Sequence, residues 1–509
     1  MVLDGTWLHY ERFTPAAGHR RSLRLSRPPT SIDDLVGALD TGDHPLLLWI
    51  TAGGCAWLGL PTDLATLDRA AHPFFAADGW SGGETLSWTV RLRHRGRRVT
   101  VIFPAYDPDG RLEPWSDLDV DRLLSGLAAF RWAVGAQAGP TIGQTAEALL
   151  LATHPRERGG ARLDQRPSLP AELERVAEVG SSWRRPLLPA EAPSTMLPRW
   201  VHWYDANANY LGAYQTAELG RGAAGLVAGE DLHRVLTERY LPPGIWHAAL
   251  PGGEELWPDE RQTLPHAWST STDWHTTPTI VRARELGVDL AAVVSEAWVW
   301  PSRSRFCAPF ATVLRDARAR LLAIGLDDTP GAREAFRAVS MCYQRLHGRF
   351  GAGFRASAGG PLYRPDWMHT IRAQARVNLH RRLAGLGAGP FAVDIDGVYF
   401  VTVVDDPHLF AEEINLPVGG REQLGRFRWV GSAPLTAELY AELVEATTAV
   451  ATRKVLHALG ARPAAAPAAE AEELEEVPEA AAEEDGDEGF LRDLEELAAS
   501  LAELGGDEL

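Results

Sequence analysis

Two aspartates stand two residues apart in the stretch Phe391-Ala-Val-Asp394-Ile395-Asp396-Gly397-Val398-Tyr399-Phe400-Val401. Alternating apolar residues on both sides predict two short strands, and the acidic, glycine-containing centre predicts a tight hairpin turn between them. Residues i and i+2 of an extended chain face the same side about 6–7 Å apart, so this spacing aims Asp394 and Asp396 at one small volume. Left uncompensated, repulsion and desolvation would drive one carboxylate to its protonated form, and the pair therefore suits a divalent cation. The competing reading is a solvated acidic turn, because Asp and Gly are ordinary turn residues.

The company of this pair adds to its meaning. Upstream, Trp203-Tyr204-Asp205-Ala-Asn207-Ala-Asn209-Tyr210-Leu211 is a strand-like run with a single acid, followed by an aromatic residue five positions on. Between the two lies Tyr343-Gln344-Arg345-Leu346-His347-Gly348-Arg349-Phe350, closing a helical pattern. The order resembles the polymerase core of family-B DNA polymerases, closest to the protein-primed branch and divergent from it. Asp205, Asn207 and Tyr210 fall on the Asp, Asn and Tyr of the family's D-x-N-S-L-Y motif. Gly348, Arg349 and Phe350 match the end of the N-S-x-Y-G motif and its following basic and aromatic residues, with Gln344 in the Asn place and His347 in the Tyr place. Asp394-Ile395-Asp396-Gly397 stands for D-T-D-S. The stretch Trp367–Arg376 is similar to the helix that often reads I-T-A-x-G-R in this family.

The resemblance implies an α/β (α+β) fold with palm, fingers and thumb, preceded by an N-terminal ribonuclease-H-like domain at the exonuclease position. The implied division is 1–154 for the N-terminal α/β domain, 155–198 for a linker, 199–417 for palm and fingers, 418–462 for a thumb-like segment and 463–509 for an acidic tail. The implied activity is template-directed DNA synthesis by two-metal nucleotidyl transfer, with DNA primer-template and deoxynucleoside triphosphates as partners, in replication of a mobile or linear element and with protein priming left open. Asp205, Asp394 and Asp396 are the implied catalytic residues, with Mg2+ or Mn2+ on Asp205 and Asp396 and Asp394 in support. Tyr210, Arg333, Arg337, Gln344 and Gly348 would meet the nucleotide, Tyr210 by rejecting a 2′-OH. Arg345, Arg349, Arg372, Arg376, Arg426 and Arg428 would meet DNA; the alternative for such arginines is ordinary surface ion pairs. A reading from another class is a catalytically weak polymerase-fold DNA-binding accessory protein for telomere maintenance or replication initiation.

Two departures from the family lower the expected activity. A proofreading exonuclease of this kind needs a D-x-E pair on its first strand to hold two divalent ions. Leu46-Leu-Leu-Trp49-Ile50-Thr51 is the strand the pattern offers there and carries no acid, so no exonuclease is expected. A lysine four residues before the middle-motif Asn normally contacts the triphosphate and gives a proton to the leaving pyrophosphate; Ser340 holds that place, with Arg337 three residues earlier. A guanidinium with a pKa above about 12 is a poor proton donor, so slow incorporation is expected, and Ser340→Lys should speed it.

Placing these residues requires several elements. The patterns predict a strand at 45–50, a hairpin at 85–104, helices at 120–134, 309–324, 333–346 and 367–383, and a strand at 293–300. Met368, Ile371, Ala375, Leu379 and Leu383 recur at helical spacing as a buried face, beside a basic stripe of Arg372, Arg376 and His380.

Length and composition are compatible with this organisation. At 509 residues the chain suits two to four domains. The net charge of −18 is concentrated in the tail, where Pro463–Leu509 holds 17 acidic residues and one basic residue. Residues 1–462 therefore carry only −2, which leaves room for local basic grooves. The tail is expected to be disordered to about Gly489. Its Phe490, Leu491, Leu494, Leu497, Leu501 and Leu504 then follow helical spacing, as either a solvated end or a helix docking a terminal or replication protein. Cys55, Cys307 and Cys342 are too few and too scattered for a metal site and are expected to be reduced and buried. No run of ~20 apolar residues and no signal pattern is visible, so no membrane partner and a cytoplasmic location are expected.

Overall fold

The computed structural model describes most of residues 1–460. Outside description lie 13–18, 36–45, 61–73, 75–80, 83–88, 105–113, 155–168, 252–267, 269–271, 352–361 and 461–509, with short gaps at 32–33, 95–96, 117, 140, 177, 179–181 and 195–196. The tail and its docking helix, and the first part of the expected linker, are therefore among the undescribed residues. The fold is mixed α/β in two units, one built from residues 1–155 and 312–346, the other from 156–311 and 347–491.

In the first unit, seven strands form one sheet: β1 (Val2–Asp4), β2 (Trp7–Arg12), β3 (His19–Arg24), β4 (Leu46–Ile50), β5 (Ser81–Gly82), β6 (Thr89–His94) and β7 (Arg97–Ile102), in the order β3-β2-β1-β4-β7-β6-β5. β4 is apolar throughout because it lies between parallel neighbours β1 and β7, with Leu48, Trp49 and Ile50 fully buried. The sheet's opening strand is thus Val2–Asp4, not Leu46–Ile50, and it does carry an acid. Asp4 accepts a short hydrogen bond from Thr51 Oγ1 at the end of β4.

The helix Val120–Val134 forms as the sequence predicts, capped by Asp119 and ended by Gly135 in the left-handed region. It packs against the start of the helix Ala332–Gly351. Arg122 Nη2 lies 2.6 Å from Glu334 Oε1, and a Cβ on Gly331 would collide with the backbone of Ser125. Glycine there permits both the close approach and a φ of +77°. All three cysteines are free and buried, as expected.

The second unit holds a five-stranded antiparallel sheet in the order β18-β9-β17-β16-β8. Its strands are β8 (Ser182–Arg184), β9 (Trp200–Ala206), β16 (Ala392–Asp394), β17 (Gly397–Thr402) and β18 (Phe427–Pro434). A four-stranded sheet, β11-β14-β12-β13, contains β11 (Gly225–Ala228), β12 (Gly244–Ala248), β13 (Trp274–Thr276) and β14 (Val294–Val299). A short ribbon joins β10 (Leu219–Arg221) to β15 (Ser302–Ser304).

Period-two alternation gives the five-stranded sheet two apolar faces. Tyr204, Val393, Val398, Phe400 and Phe427 pack with Leu379, Leu383 and Phe410 on one side. Val201, Trp203, Phe391 and Tyr399 pack with Leu439, Leu443 and Leu456 on the other. This sheet corrects two expected boundaries. Residues 182–184 of the expected linker form an edge strand paired with β16, and residues 427–434 of the expected thumb-like segment form the opposite edge paired with β9. Both segments are strands of the sheet because their backbone groups complete its ladder and their side chains, Trp183 and Phe427, complete its core.

Candidate active site

Strand register brings Asp205 and Asp396 together. Gly397 is the cross-strand partner of Asp205, and the backbone N–H of Ala206 donates to the Asp396 carbonyl at 2.8 Å. Asp396 thus sits on the turn immediately beside the last residues of β9. Burial and the nearby Asp205 carboxylate, followed by Asp394, push the Asp396 carboxyl well above its ordinary range, with Arg428 opposing them. Two carboxylates so placed repel each other, and a bound cation would offset that repulsion.

Asp394 does something different. The pairing of Asp394 with Gly397 leaves Ile395 and Asp396 as a two-residue turn, and Ile395 adopts φ +57°. Positive φ is unusual for a β-branched residue and costs on the order of 1–3 kcal/mol. The reversal sends the two aspartates to different surroundings, so the expectation that an extended D-x-D aims both at one volume is corrected. Asp394 is almost fully buried and lies 3.1 Å from Arg453, on the helix Ala449–Gly460. Sequence reasoning missed Arg453, because nothing local in a helix 55 residues downstream links it to the hairpin.

Arg428 is the register partner of Asp205 on β18, and its guanidinium lies 3.8 Å from the Asp205 carboxylate. This places it at the carboxylate pair. Asn207 is buried, and its side-chain amide donates to the carbonyls of Arg421 at 2.8 Å and Gln423 at 3.2 Å. The backbone N–H of Asn207 also donates to the carbonyl of Arg426. The first motif's Asn is therefore the bracket that joins the segment 420–426 to the end of β9. Arg426 itself is exposed and reaches the Val418 carbonyl.

Tyr210, on the helix Asn209–Thr216, meets His347 edge-on at 5.4 Å between ring centroids. Burial raises its phenol above the usual range, and Asp396 contributes in the same direction while Arg372 opposes it. Arg372 Nε donates to His347 Nε2 at 2.7 Å. Burial, Arg372 and His369 hold His347 well below its ordinary pKa, so it is a neutral imidazole accepting through Nε2. Its Nδ1 is buried with no hydrogen-bond partner among the described residues. The carboxylate pair, Tyr210, His347 and Arg372 thus form one electrostatically linked group.

Arg376 does not join a nucleic-acid groove. It is 4% exposed and bonds the fully buried Glu178 and the Thr279 hydroxyl. Glu178 also accepts from Thr276 and Thr279. Its carboxyl is driven down to about 2 because these partners, Arg376 foremost, outweigh the desolvation that pushes it up. The basic stripe of the helix Pro365–Leu383 is interior for the same reason. His380 is buried and accepts from Arg282, so the helix is covered on its basic side as well as its apolar one.

The remaining sequence-derived residues are divided between the units. Gly348 and Arg349 lie in the second unit, Gly348 exposed with open space where a Cβ would stand, and Arg349 half-buried. Arg333, Arg337, Gln344 and Arg345 belong to the first unit. Arg333 pairs with Asp327, Gln344 is exposed and Arg337 and Arg345 are half-buried. Ser340, in the place of the family's lysine, accepts from the buried Arg318 at 2.7 Å.

Among the described residues, no group of three or more His, Cys, Asp or Glu side chains is gathered as a metal cluster. Asp205 and Asp396 nonetheless fit a magnesium-type ion, which is commonly held by one or two carboxylates with water and substrate phosphate completing its shell. The observation that supports this fit is the β9–β17 register, which brings the two carboxylate-bearing residues side by side.

No protein-family model matches the chain, and no curated protein sequence is similar to it. Among solved structures, the chain is similar to Phi29 DNA polymerase complexed with primer-template DNA and incoming nucleotide substrates, with a TM-score of 0.43, 10% identity and 84% of each chain covered. Phi29 DNA polymerase complexed with primer-template DNA alone gives the same values. With single-stranded DNA, the TM-score is 0.41 at the same identity and coverage.

Proposed function

We propose that this protein is a DNA-directed DNA polymerase whose nucleotidyl-transfer site is built on Asp205 and Asp396. The observation that carries the reading is the β9–β17 register, which brings two carboxylates into a site where they repel each other in the absence of a cation. Asp205 and Asp396 would hold Mg2+ or Mn2+, which when bound supplies charge for the triphosphate and acidifies the attacking hydroxyl. Tyr210 presents a half-buried aromatic ring, set edge-on to His347 and within the electrostatic reach of Asp396, suited to packing beneath an incoming sugar and excluding a 2′-OH. Arg428 adds fixed positive charge at the pair and Arg372 adds charge near Tyr210, both suited to triphosphate and primer-template phosphates. Asp394 acts through the hairpin, with Arg453 holding the strand that leads into it.

A second reading, a catalytically weak polymerase-fold DNA-binding accessory protein, is favoured by two observations. Asp394 is engaged by Arg453, and Ser340 stands where a lysine would supply a proton. Primer extension separates the two readings. Purified protein with a primed template, deoxynucleoside triphosphates and Mg2+ or Mn2+ should extend the primer slowly, and Asp205→Asn and Asp396→Asn should abolish extension. DNA binding without any extension under these conditions would establish the accessory role instead.

A further inference from the structure

Away from the carboxylate pair, the second unit carries an exposed aromatic ring surrounded by guanidinium groups. Tyr240 is 60% exposed, more than any other large hydrophobic residue among those described. Arg239 lies over its ring at 5.1 Å and Arg303 at 5.7 Å. Arg284 extends the group by donating to the carbonyls of Glu238 and Arg239 at 2.9 and 3.0 Å. On the other side, Glu218 pairs with Arg303 at 3.0 Å and with Arg305 at 3.9 Å. Two arginines thus flank the ring and two more adjoin them, with Glu218 the carboxylate paired to this group among the described residues.

We propose that this Tyr240 surface binds single-stranded nucleic acid. The chemistry of that ligand fits both halves of the surface. Each nucleotide offers a flat π face for the exposed ring and its flanking guanidiniums, and each linkage offers one negative charge for an arginine. Arg303, Arg305 and Arg239 are each exposed, so their charges are available to a strand without unfolding anything. An apolar protein partner would have to desolvate these guanidiniums without supplying charge to compensate them. The inference does not rest on the carboxylate pair, which lies on a different sheet of the unit.

The test uses the full-length chain and a fluorescently labelled (dT)20, without divalent cations, read by anisotropy across a salt series. Tyr240→Ala should weaken binding about 10-fold, and Tyr240→Phe, which keeps the ring, should restore it. Arg303→Ala should reduce the slope of log K against log salt by about 0.7, the value for one phosphate contact on a single strand. A (dT)20 carrying 5-iododeoxyuridine should crosslink to the peptide containing Tyr240. Because the readout is binding without divalent cations and not extension, failure of the polymerase reading leaves this result intact. Unchanged affinity and salt slope in Tyr240→Ala and Arg303→Ala would overturn the proposal. So would equal losses of (dT)20 and heparin binding in Tyr240→Ala, which would reveal a patch that reads charge without bases.

Discussion

Asp394 lies 3.1 Å from Arg453 while Asp396, two residues on, has Asp205 as its strongest charged neighbour. One hairpin therefore gives its two carboxylates different charged neighbours. Asp394→Asn should lower stability by roughly 1.5–3 kcal/mol through loss of a charge-assisted contact. It should leave residual extension, measurable once the variant is assayed well below its melting temperature. Asp205→Asn and Asp396→Asn should instead stay folded and lose extension entirely. If Asp394→Asn were as inactive as these two with an unchanged melting temperature, the division of labour would be wrong.

The Asp396 carboxyl also sets a pH signature. Its pKa is raised in the folded protein, so between the unfolded value near 3.8 and the raised value the folded state holds the extra proton. Its contribution to stability is present at low pH and is lost as pH rises through the folded pKa. Asp396→Asn should remove that decline and melt higher than the wild type at neutral pH. Mg2+ or Mn2+ should raise the wild-type melting temperature more as pH rises and release protons on binding, detected by calorimetry in buffers of different ionisation enthalpy. A cation effect equal in wild type and Asp396→Asn would remove the ion from this site.

Glu178 and Arg376 form a buried pair whose loss should be felt throughout the second unit. Arg376→Ala leaves an uncompensated carboxylate in the interior, and breaking such a pair typically costs about 3–5 kcal/mol. Denaturant unfolding should show that loss. Affinity for primer-template, measured on protein that remains folded, should be unchanged. A selective loss of affinity with normal stability would return Arg376 to the nucleic-acid surface.

Ser340→Lys, expected from the family resemblance to speed incorporation, also carries a stability cost. The hydroxyl accepts a hydrogen bond from the buried Arg318, and an ammonium at that position would face a guanidinium without an acceptor. Loss of the bond and like-charge repulsion should destabilise the protein by about 1–3 kcal/mol. Thermal melting checks it. A stable Ser340→Lys with faster extension would show that the side chain finds another path.

The elements were largely legible in the sequence because their patterns are local. Asp119 and Gly135 mark both ends of the helix Val120–Val134, and continuous apolar residues mark β4 as buried on both faces. The acids at 205 and 396 were legible through motif spacing. What local pattern could not supply was the partner chosen across the fold. The i, i+4 stripe of Arg372, Arg376 and His380 has the spacing of a solvent-facing basic edge, yet Glu178 and Arg282 reach it from segments remote in sequence. Likewise, the two-residue turn at Ile395 requires a positive φ that the β-branched side chain argues against, so the sequence favoured an extended D-x-D.

The first unit is assembled from two separated stretches of chain, and that arrangement has a consequence during synthesis. Arg122 leaves the ribosome 212 residues before Glu334, the partner that its guanidinium binds. At about 5–20 residues per second, the interval is roughly 10–40 s. Throughout that time the helix Val120–Val134 has nothing to cover the face that Glu334 and Gly331 will occupy, while the start of the second unit is already emerging. Between those two points, 212 of 509 residues, the nascent chain presents an incomplete N-terminal unit, and its yield in a cell should depend on chaperone capacity more steeply than its equilibrium stability would suggest.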